Sequence, residues 1–244
     1  MNFHAWEWVL AVLGALLVGV AKTGITGLSL LFVAIFASIM PARRSTGLVL
    51  PLLILGDIVA FSAYRKHAQW RHVWRMFPWA AVGVVIGAII MGRMDDRLTR
   101  LVMGAIVVGL AALHLARRAR APVDEDDHPA WFAPAIGILA GFTTIVSNAA
   151  GPLMVIYLLA MRLPKMEYMG TGAAFFLMLN LFKLPFMVGL GLITGGSLVL
   201  NLALAPAVIV GTVLGRWLLG RINQRLFENI AIALTLAAGV RMFL

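Results

Sequence analysis

The sequence predicts an all-α, polytopic integral membrane protein. Hydrophobic residues make up 62% of the 244 residues and charged residues 12%, and the mean hydropathy is +0.97. A soluble domain carries about a quarter charged residues, so this chain has too little polar surface for a water-soluble globule. The apolar residues form about eight segments of the kind that cross or enter a bilayer as helices, at 8–40, 46–64, 73–91, 98–116, 131–161, 168–188, 198–220 and 226–243.

Two of these segments are too long for one simple span. Most of the segments are close to the ~20 residues that cross a hydrocarbon core as a helix, whereas 8–40 and 131–161 exceed thirty residues. A straight helix of that length would measure about 50 Å. Small and polar residues interrupt the first at 22–27 and the second at 147–152. We therefore expect both long segments to be broken or re-entrant.

The two halves of the chain repeat each other. An offset of 123 relates Pro41, Gly47 and Asp57 to Pro164, Gly170 and Asn180, and an offset of 128 relates the string that begins at Gly83 to the one that begins at Gly211. These matches predict a first four-segment membrane repeat at 1–116, a polar linker at 117–130 and a second repeat at 131–244. Many secondary transporters have such repeats, with the substrate site at mid-membrane between broken helices.

The Lys and Arg residues in the polar gaps bear on topology. If both long segments cross the bilayer, these residues divide 8 to 10 between its two faces; if both are re-entrant hairpins, they divide 6 to 12. The positive-inside rule favours the second arrangement. It makes the repeats inverted, with both termini outside and the linker inside. The formal net charge of +10 is then explained by topology and lipid headgroups, without a nucleic-acid partner.

With the gaps and the segment ends set aside, three charged residues lie inside the apolar segments: Lys22, Asp57 and Lys183. Each costs at least ~2.5–3.5 kcal/mol at a helix centre, so each is expected to have a function or a partner. Lys22 either binds an anion, forms a structural salt bridge with Asp57, or extends to the interface. Asp57 either positions Lys22 or carries a proton, whereas its counterpart Asn180 cannot titrate. Lys183 either contacts a second negative charge or reaches the interface.

We expect the two breaks and these charges to form one anion site. A helical N-terminus and free backbone N–H groups favour an anion there, although a packing kink would also explain the second break. The predicted substrate-binding residues are Lys22, Thr23, Gly24, Thr26, Gly27, Ser147, Asn148, Gly151 and Asn180, with Asp57 as proton-coupling residue or charge partner and Lys183 as a second anion contact. Gly83 and Gly87 are expected to form a helix–helix contact.

Motifs for enzymatic or metal chemistry are lacking in the sequence. It contains no cysteine, no H-E-x-x-H, G-x-S-x-G or phosphate-binding loop string, and its five histidines do not have metal-ligand spacing. We therefore expect a protein that is not an enzyme and needs neither cofactor nor metal. An intramembrane enzyme with Asp57 and Lys22 as acid and base, and a structural or sensory membrane subunit, are the alternatives from other classes.

The ordered motifs resemble the sulfite exporter TauE/SafE family of membrane permeases over essentially the whole chain. They are the broken first segment, Pro41 with Ser45-Thr46-Gly47, the gap at 64–70, the string from Gly83 to Arg93, and a second copy with Gly151-Pro152, Pro164 and Gly170-Thr171-Gly172. The resemblance implies two four-segment repeats and movement, usually export, of sulfite, sulfoacetate or related sulfur-containing anions across a bacterial cytoplasmic membrane. Family members carry consecutive glycines in each broken segment, whereas 22–27 and 147–152 here carry Lys, hydroxyl and amide side chains. Uptake or channel-like conduction, another small anion, and a homodimer all stay open.

Overall fold

The computed structural model describes residues 4–24, 28–118 and 129–218, and all regular elements within these ranges are helices. The last apolar segment, 226–243, and most of the predicted linker lie outside the described residues. A short 3-10 turn, Arg65–His67, precedes the fourth helix. The α-helices are α1 (Ala5–Thr23), α2 (Ser29–Ile39), α3 (Ala42–Tyr64), α4 (Trp70–Gly92), α5 (Asp96–Arg118), α6 (Phe132–Ser147), α7 (Gly151–Ala160), α8 (Lys165–Gly189) and α9 (Gly195–Leu218).

The lengths of the helices fit a bilayer. Five stretches of the described chain are long and apolar enough to cross it: Ala5–Thr23, Ala42–His67, Trp70–Gly92, Lys165–Gly189 and Gly195–Leu218. Their outward residues are large and apolar, as on α9, where Leu202 is 75% exposed and Val213 is 65% exposed. Such surfaces are stable against lipid rather than water. The prediction of an all-helical, polytopic membrane protein is confirmed.

Each long apolar segment contains two helices. The first segment has α1 ending at Thr23 and α2 beginning at Ser29, and the second has α6 ending at Ser147 and α7 beginning at Gly151. Asn148 ends α6 in a left-handed conformation, with φ of 55°, and its N–H donates to the Thr144 carbonyl at 3.0 Å. Asparagine tolerates this conformation better than most residues with a side chain. The helix therefore stops inside an apolar stretch without a glycine at the turn.

The second helix of each pair returns towards the end of the bundle where the first began. In the first pair, the ring of Phe36, near the end of α2, fills the space beside Gly14 in the middle of α1. In the second pair, the ring of Tyr157 in α7 stacks on Phe132, the first residue of α6, with 6.2 Å between the ring centroids. Each pair therefore enters and leaves at the same end of the helical bundle.

Glycines join α4 to α6 backbone to backbone. A Cβ atom on Gly83 of α4 would overlap the carbonyl oxygen of Ile138, and one on Gly141 of α6 would overlap the carbonyl oxygen of Ala80. The contacts of Gly137 with Met76, of Gly141 with Val84 and of Gly87 with Ile145 advance in the same direction along both helices, so the two helices run parallel. The expected role of Gly83 in a helix–helix contact is confirmed, and Gly87, which faces the Ile145 side chain, belongs to the same contact.

Helices α1 and α9 also pack backbone to backbone at glycines. A Cβ atom on Gly211 would overlap the Leu16 carbonyl oxygen, and one on Gly215 would lie 2.8 Å from the Val20 carbonyl oxygen. These helices are also parallel, because the contacts advance in the same direction along both. Small residues in such seams let the backbones approach closely enough for dispersion and weak polar contacts to stabilise the pair in lipid.

The central helices α3 and α8 run antiparallel. Gly47 at the start of α3 lies against Leu192, just beyond the end of α8, and Gly170 at the start of α8 lies against the backbone of Tyr64 at the end of α3. The Gln69 N–H, after α3, donates to the Thr171 hydroxyl at 2.9 Å. This crossing brings residues in the middle of α3 close to residues in the middle of α8, where the candidate site lies.

Replacing Gly141 with alanine is expected to destabilise the fold. The added methyl group has no room beside the Ala80 backbone, and overpacking of this kind costs about 1–3 kcal/mol. The measurement is thermal unfolding of the purified protein in detergent. Gly109→Ala in α5 is the control, because a Cβ atom there meets no heavy atom within 4 Å. Equal unfolding temperatures for the two variants would contradict the close packing of α4 on α6.

Candidate functional site

The carboxylate of Asp57 joins three helices at the centre of the bundle. Its Oδ1 lies 2.7 Å from Nζ of Lys22 in α1, and its Oδ2 accepts a hydrogen bond of 2.5 Å from Nδ2 of Asn180 in α8. The side chain of Asp57 is fully buried and that of Lys22 is 10% exposed. A buried charge needs an opposite charge and further hydrogen bonds. Lys22 and Asn180 supply both to Asp57.

The Lys22 side chain is held along its whole length. Its methylene stem packs on Gly56, one residue before Asp57, where a Cβ atom would lie 3.0 Å from Lys22 Cγ. Its Nζ also lies 4.4 Å from the centroid of the Phe176 ring, a cation–π distance. Lys22 is thus fixed between a carboxylate and an aromatic face and does not extend to the membrane surface.

Lys183 is buried completely and contacts the second break. Its Nζ donates to Oδ1 of Asn148 at 2.6 Å, to the Thr144 carbonyl at 3.1 Å and to Oγ1 of Thr144 at 3.0 Å. The Thr144 carbonyl, in the last turn of α6, thus accepts from this ammonium group as well as from the Asn148 N–H. A positive charge at this position also complements the negative end of the helix dipole. Within the described residues, Lys183 has no carboxylate within ion-pair distance.

Asn148 connects this arrangement to the first half of the chain. While its Oδ1 accepts from Lys183, its Nδ2 donates to the Thr46 carbonyl in α3 at 3.0 Å. The side chain is nearly fully buried. The second break is therefore fixed by a lysine of α8 on one side and by the backbone of α3 on the other.

A cavity of about 40 Å³ lies between the two breaks. This volume holds about three water molecules. Five of the residues predicted from the sequence as site residues line the cavity: Lys22, Asp57, Asn148, Gly151 and Asn180. The two breaks and the two central helices thus meet around one space.

The other predicted site residues lie beside the cavity or outside the described part of the chain. The Thr23 hydroxyl donates to the Thr212 carbonyl of α9 at 2.8 Å, and Gly24 lies against the backbone of Gly215 in the same helix. Ser147 donates to the Thr143 carbonyl at 2.9 Å. Lys183 lies behind Asn148, and Thr26 and Gly27 fall outside the described residues.

Sequence reasoning missed several residues that line the cavity. Ser29, Thr144 and Phe176 are three of them. Ser29 lies two residues after the first break and Thr144 three residues before the second, so their positions close to the breaks were a usable signal. Phe176 gave no signal, because an aromatic residue inside an apolar segment looks like any other lipid-facing or core residue.

The balance of charge around the cavity is positive. The described residues place two ammonium groups, Lys22 and Lys183, and one carboxylate, Asp57, in or directly behind its wall. The first residues of two helices, Ser29 of α2 and Gly151 of α7, also line it. Helix N-termini present free N–H groups and a partial positive charge. The arrangement is chemically suited to an anion.

Removing one partner of the Lys22–Asp57 ion pair is expected to destabilise the fold more than removing both charges. Asp57→Asn and Lys22→Gln each leave one buried charge without its partner, which lowers the free energy of unfolding by about 3–5 kcal/mol. In the double variant, the free energy of unfolding should fall by much less than the sum of the losses in the two single variants. The measurement is a double-mutant cycle of unfolding in detergent.

The exposed pair of Arg100 and Asp96, with 3.7 Å between its charged atoms, provides a matched control. Arg100→Gln should cost about 1 kcal/mol or less, because solvent screens both groups. Additive losses for the Lys22 and Asp57 variants would show that the two side chains are not coupled in the folded protein.

Comparisons with known proteins agree with this architecture. The family model described as Sulfite exporter TauE/SafE matches residues 11–242. The chain is 26% identical over 203 residues to a protein of Comamonas testosteroni named "Probable inner membrane transporter protein TsaS", with 82% of each chain covered. No solved structure matches the chain significantly. With its five helices of spanning length, the chain is a multi-pass protein of the inner membrane. It belongs to the sulfite exporter TauE/SafE family of membrane transporters.

Proposed function

We propose that the protein is a secondary permease that exports small sulfur-containing anions, such as sulfite or organosulfonates of the sulfoacetate type. The observation that carries the proposal is the cavity between the two breaks, where two lysines oppose one aspartate. Membership of a transporter family supports transport, rather than catalysis, as the role of this site. The residues bind and release an anion, and no covalent step is required of them.

The charge at the site favours an anion on simple electrostatic grounds. With Lys22, Lys183 and Asp57 all ionised, the site carries one uncompensated positive charge. A single anionic charge in the cavity would neutralise it, and opposite charges interact much more strongly at this depth than in water. A cation would instead add to the uncompensated positive charge, and a neutral solute would leave that charge unchanged.

The donors around the cavity suit an oxyanion. Lys22 supplies an ammonium group, Asn180 an amide and Ser29 a hydroxyl whose oxygen has no hydrogen-bond partner among the described residues. The N-terminus of α7 at Gly151 adds backbone N–H groups. A sulfite or sulfonate group offers several oxygen acceptors to such a set. The apolar wall, which includes Phe32 and Met154, leaves room for a short organic group.

Asp57 gives the site a means of coupling transport to protons. In the ionised state, its carboxylate holds Lys22 at 2.7 Å and competes with the substrate for the ammonium group. When Asp57 takes up a proton, Lys22 becomes free to pair with the anion, so a proton and an anion would be carried together. Binding should therefore strengthen as the pH falls, because protonation removes the competing negative charge.

We further propose that the two membrane repeats, 1–116 and 131–244, have inverted topology. Three features support this arrangement. Each half begins with a pair of helices that returns to its own starting end, and α3 runs antiparallel to α8. The packing of α1 on α9 also has a counterpart in the packing of α6 on α4. Rocking of one helix group against the other around the central site would expose the cavity alternately to each side of the membrane.

Sulfite and sulfoacetate flux into or out of proteoliposomes tests the function. We expect saturable flux with the wild-type protein, and at least a tenfold loss in Lys22→Gln, since each 1.4 kcal/mol of lost anion stabilisation is about one factor of ten. An inward or outward pH gradient should change the rate in the wild type. Asp57→Asn should abolish this response, because its amide cannot exchange a proton.

Lys165→Gln is the control for the loss of a lysine, because Lys165 lies exposed at the start of α8, away from the cavity. If well-folded wild-type protein moves neither anion, the substrate assignment is wrong, and a screen of other anions or a test of a non-transport role follows. If Lys22→Gln transports as well as the wild type, the assignment of the binding site is wrong.

Cysteine labelling tests the inverted topology in this cysteine-free chain. Single variants Arg44→Cys, Lys66→Cys and Lys165→Cys are labelled with a membrane-impermeant reagent in oriented vesicles. Inverted repeats with re-entrant pairs predict that positions 66 and 165 label from one side and position 44 from the other. If the long segments crossed the bilayer, positions 44 and 165 would label together and position 66 from the opposite side.

A further inference from the structure

One end of the bundle carries basic residues that the transport site does not use. The 3-10 turn and the first turns of α4 place Arg65, Lys66, Arg71 and Arg75 there, and all four side chains are exposed. The sequence contains no acidic residue between Asp57 and Asp95. Among the described residues none of these four has a carboxylate within ion-pair distance.

The described residues around this cluster do not neutralise it. The first turn of α8 packs beside the 3-10 turn and carries one acid, Glu167, together with one base, Lys165, so it adds no net charge. Arg71 and Arg75 are four residues apart on one helix, a spacing at which like charges repel each other. A ligand with a negative charge would relieve this repulsion.

At the opposite end of the bundle, some basic side chains have partners within the protein. There, Asp96 accepts a hydrogen bond from the Arg43 backbone N–H and lies 3.7 Å from Arg100, and the Arg43 guanidinium donates to the Met94 carbonyl. Two basic side chains at that end, Arg43 and Arg100, thus have acceptors within the protein. No such contact joins Arg65, Lys66, Arg71 or Arg75 to an acceptor among the described residues.

The helix face that carries the two arginines continues into the membrane. Positions 71, 74, 75, 78, 82, 86 and 89 recur at helical spacing on one side of α4, and all are exposed. Trp74 is 56% exposed, and below it the face is apolar, with Val82 45% and Ile89 56% exposed. From position 71 to position 89 this stripe extends about 27 Å along the helix. We call it the Arg71 face.

We propose that the Arg71 face binds an anionic phospholipid of the surrounding bilayer, with the phosphate between Arg71 and Arg75 and the acyl chains along Val82 and Ile89. Arginine is suited to phosphate because its planar group donates two parallel hydrogen bonds. Trp74 has the amphipathic ring that is enriched at the depth of the headgroups. The apolar stripe directly below the arginines favours a lipid over a free anion, since a soluble phosphate has no acyl chain to place there.

Bound lipid would also stabilise the turn between α3 and α4. This turn packs against α8 through the hydrogen bond from Gln69 to Thr171, and the Tyr64 hydroxyl donates to the Thr23 carbonyl at 3.0 Å, next to Lys22. Neutralising the cluster removes repulsion from a segment that contacts both central helices. The expected result is a more stable fold in the presence of the lipid.

Thermal unfolding of the full chain in detergent tests the proposal. Phosphatidylglycerol should raise the midpoint by about 5 °C relative to phosphatidylcholine with the same acyl chains. Arg71→Gln/Arg75→Gln should lose most of this rise. The matched control, Arg93→Gln/Arg97→Gln just beyond the opposite end of α4, should keep this rise. An equal rise in both double variants would overturn the proposal.

Two further measurements identify the ligand and test the proposal without relying on the double arginine variant. Glycerol phosphate, which has the charged group without acyl chains, should give no rise; a rise equal to that from the lipid would assign the site to a free anion instead. In vesicles, phosphatidylglycerol with brominated chains should quench the tryptophan fluorescence of the wild type more than brominated phosphatidylcholine does. Trp74→Phe should reduce this difference, and an unchanged difference would contradict binding at the Arg71 face.

Discussion

The fold depends on the requirement that the buried carboxylate of Asp57 be fully paired. Inside the membrane, an unpaired charge costs several kcal/mol even after relaxation. Its two partners come from different helices, Lys22 from α1 and Asn180 from α8. Satisfying one carboxylate therefore fixes where α1, α3 and α8 meet, and the antiparallel crossing of α3 and α8 follows from that meeting point.

The same requirement explains how the chain tolerates broken helices in an apolar environment. A helix end inside the membrane needs polar partners from the protein, because lipid supplies none. The Thr144 carbonyl in the last turn of α6 accepts from Lys183 as well as from the Asn148 N–H, and the Asn148 side chain links this turn to Thr46 of α3. Lys183 thus both stabilises the end of α6 and places a positive charge behind the cavity wall. Polar groups that make the break stable also give the cavity its chemistry.

Much of this could be predicted from the sequence, because membrane helices follow strong rules of length and polarity. Segments of about twenty apolar residues predicted the long helices, and the excess length of two segments predicted the breaks. The rarity of charges inside these segments predicted Lys22 and Asp57 as residues of the candidate site, and both line the cavity. Side-chain direction was not predictable in this way. The Thr23 side chain points towards α9 because Gly215 lets the backbones of α1 and α9 approach closely. A contact between residues so far apart in the chain cannot be read from the local spacing of apolar residues.

Two kinds of helix contact limit how the protein can move. The pairs α1–α9 and α4–α6 meet through glycines whose Cα atoms face carbonyl oxygens, so sliding either pair by one residue would place larger side chains against the backbone. The contact around Asp57 instead consists of side-chain hydrogen bonds and an ion pair beside a cavity. Such polar contacts can exchange one partner for another at little net cost when a ligand supplies the replacement. An anion that takes Lys22 while Asp57 takes up a proton would therefore act at a contact that can rearrange, and the glycine seams would keep each helix pair intact.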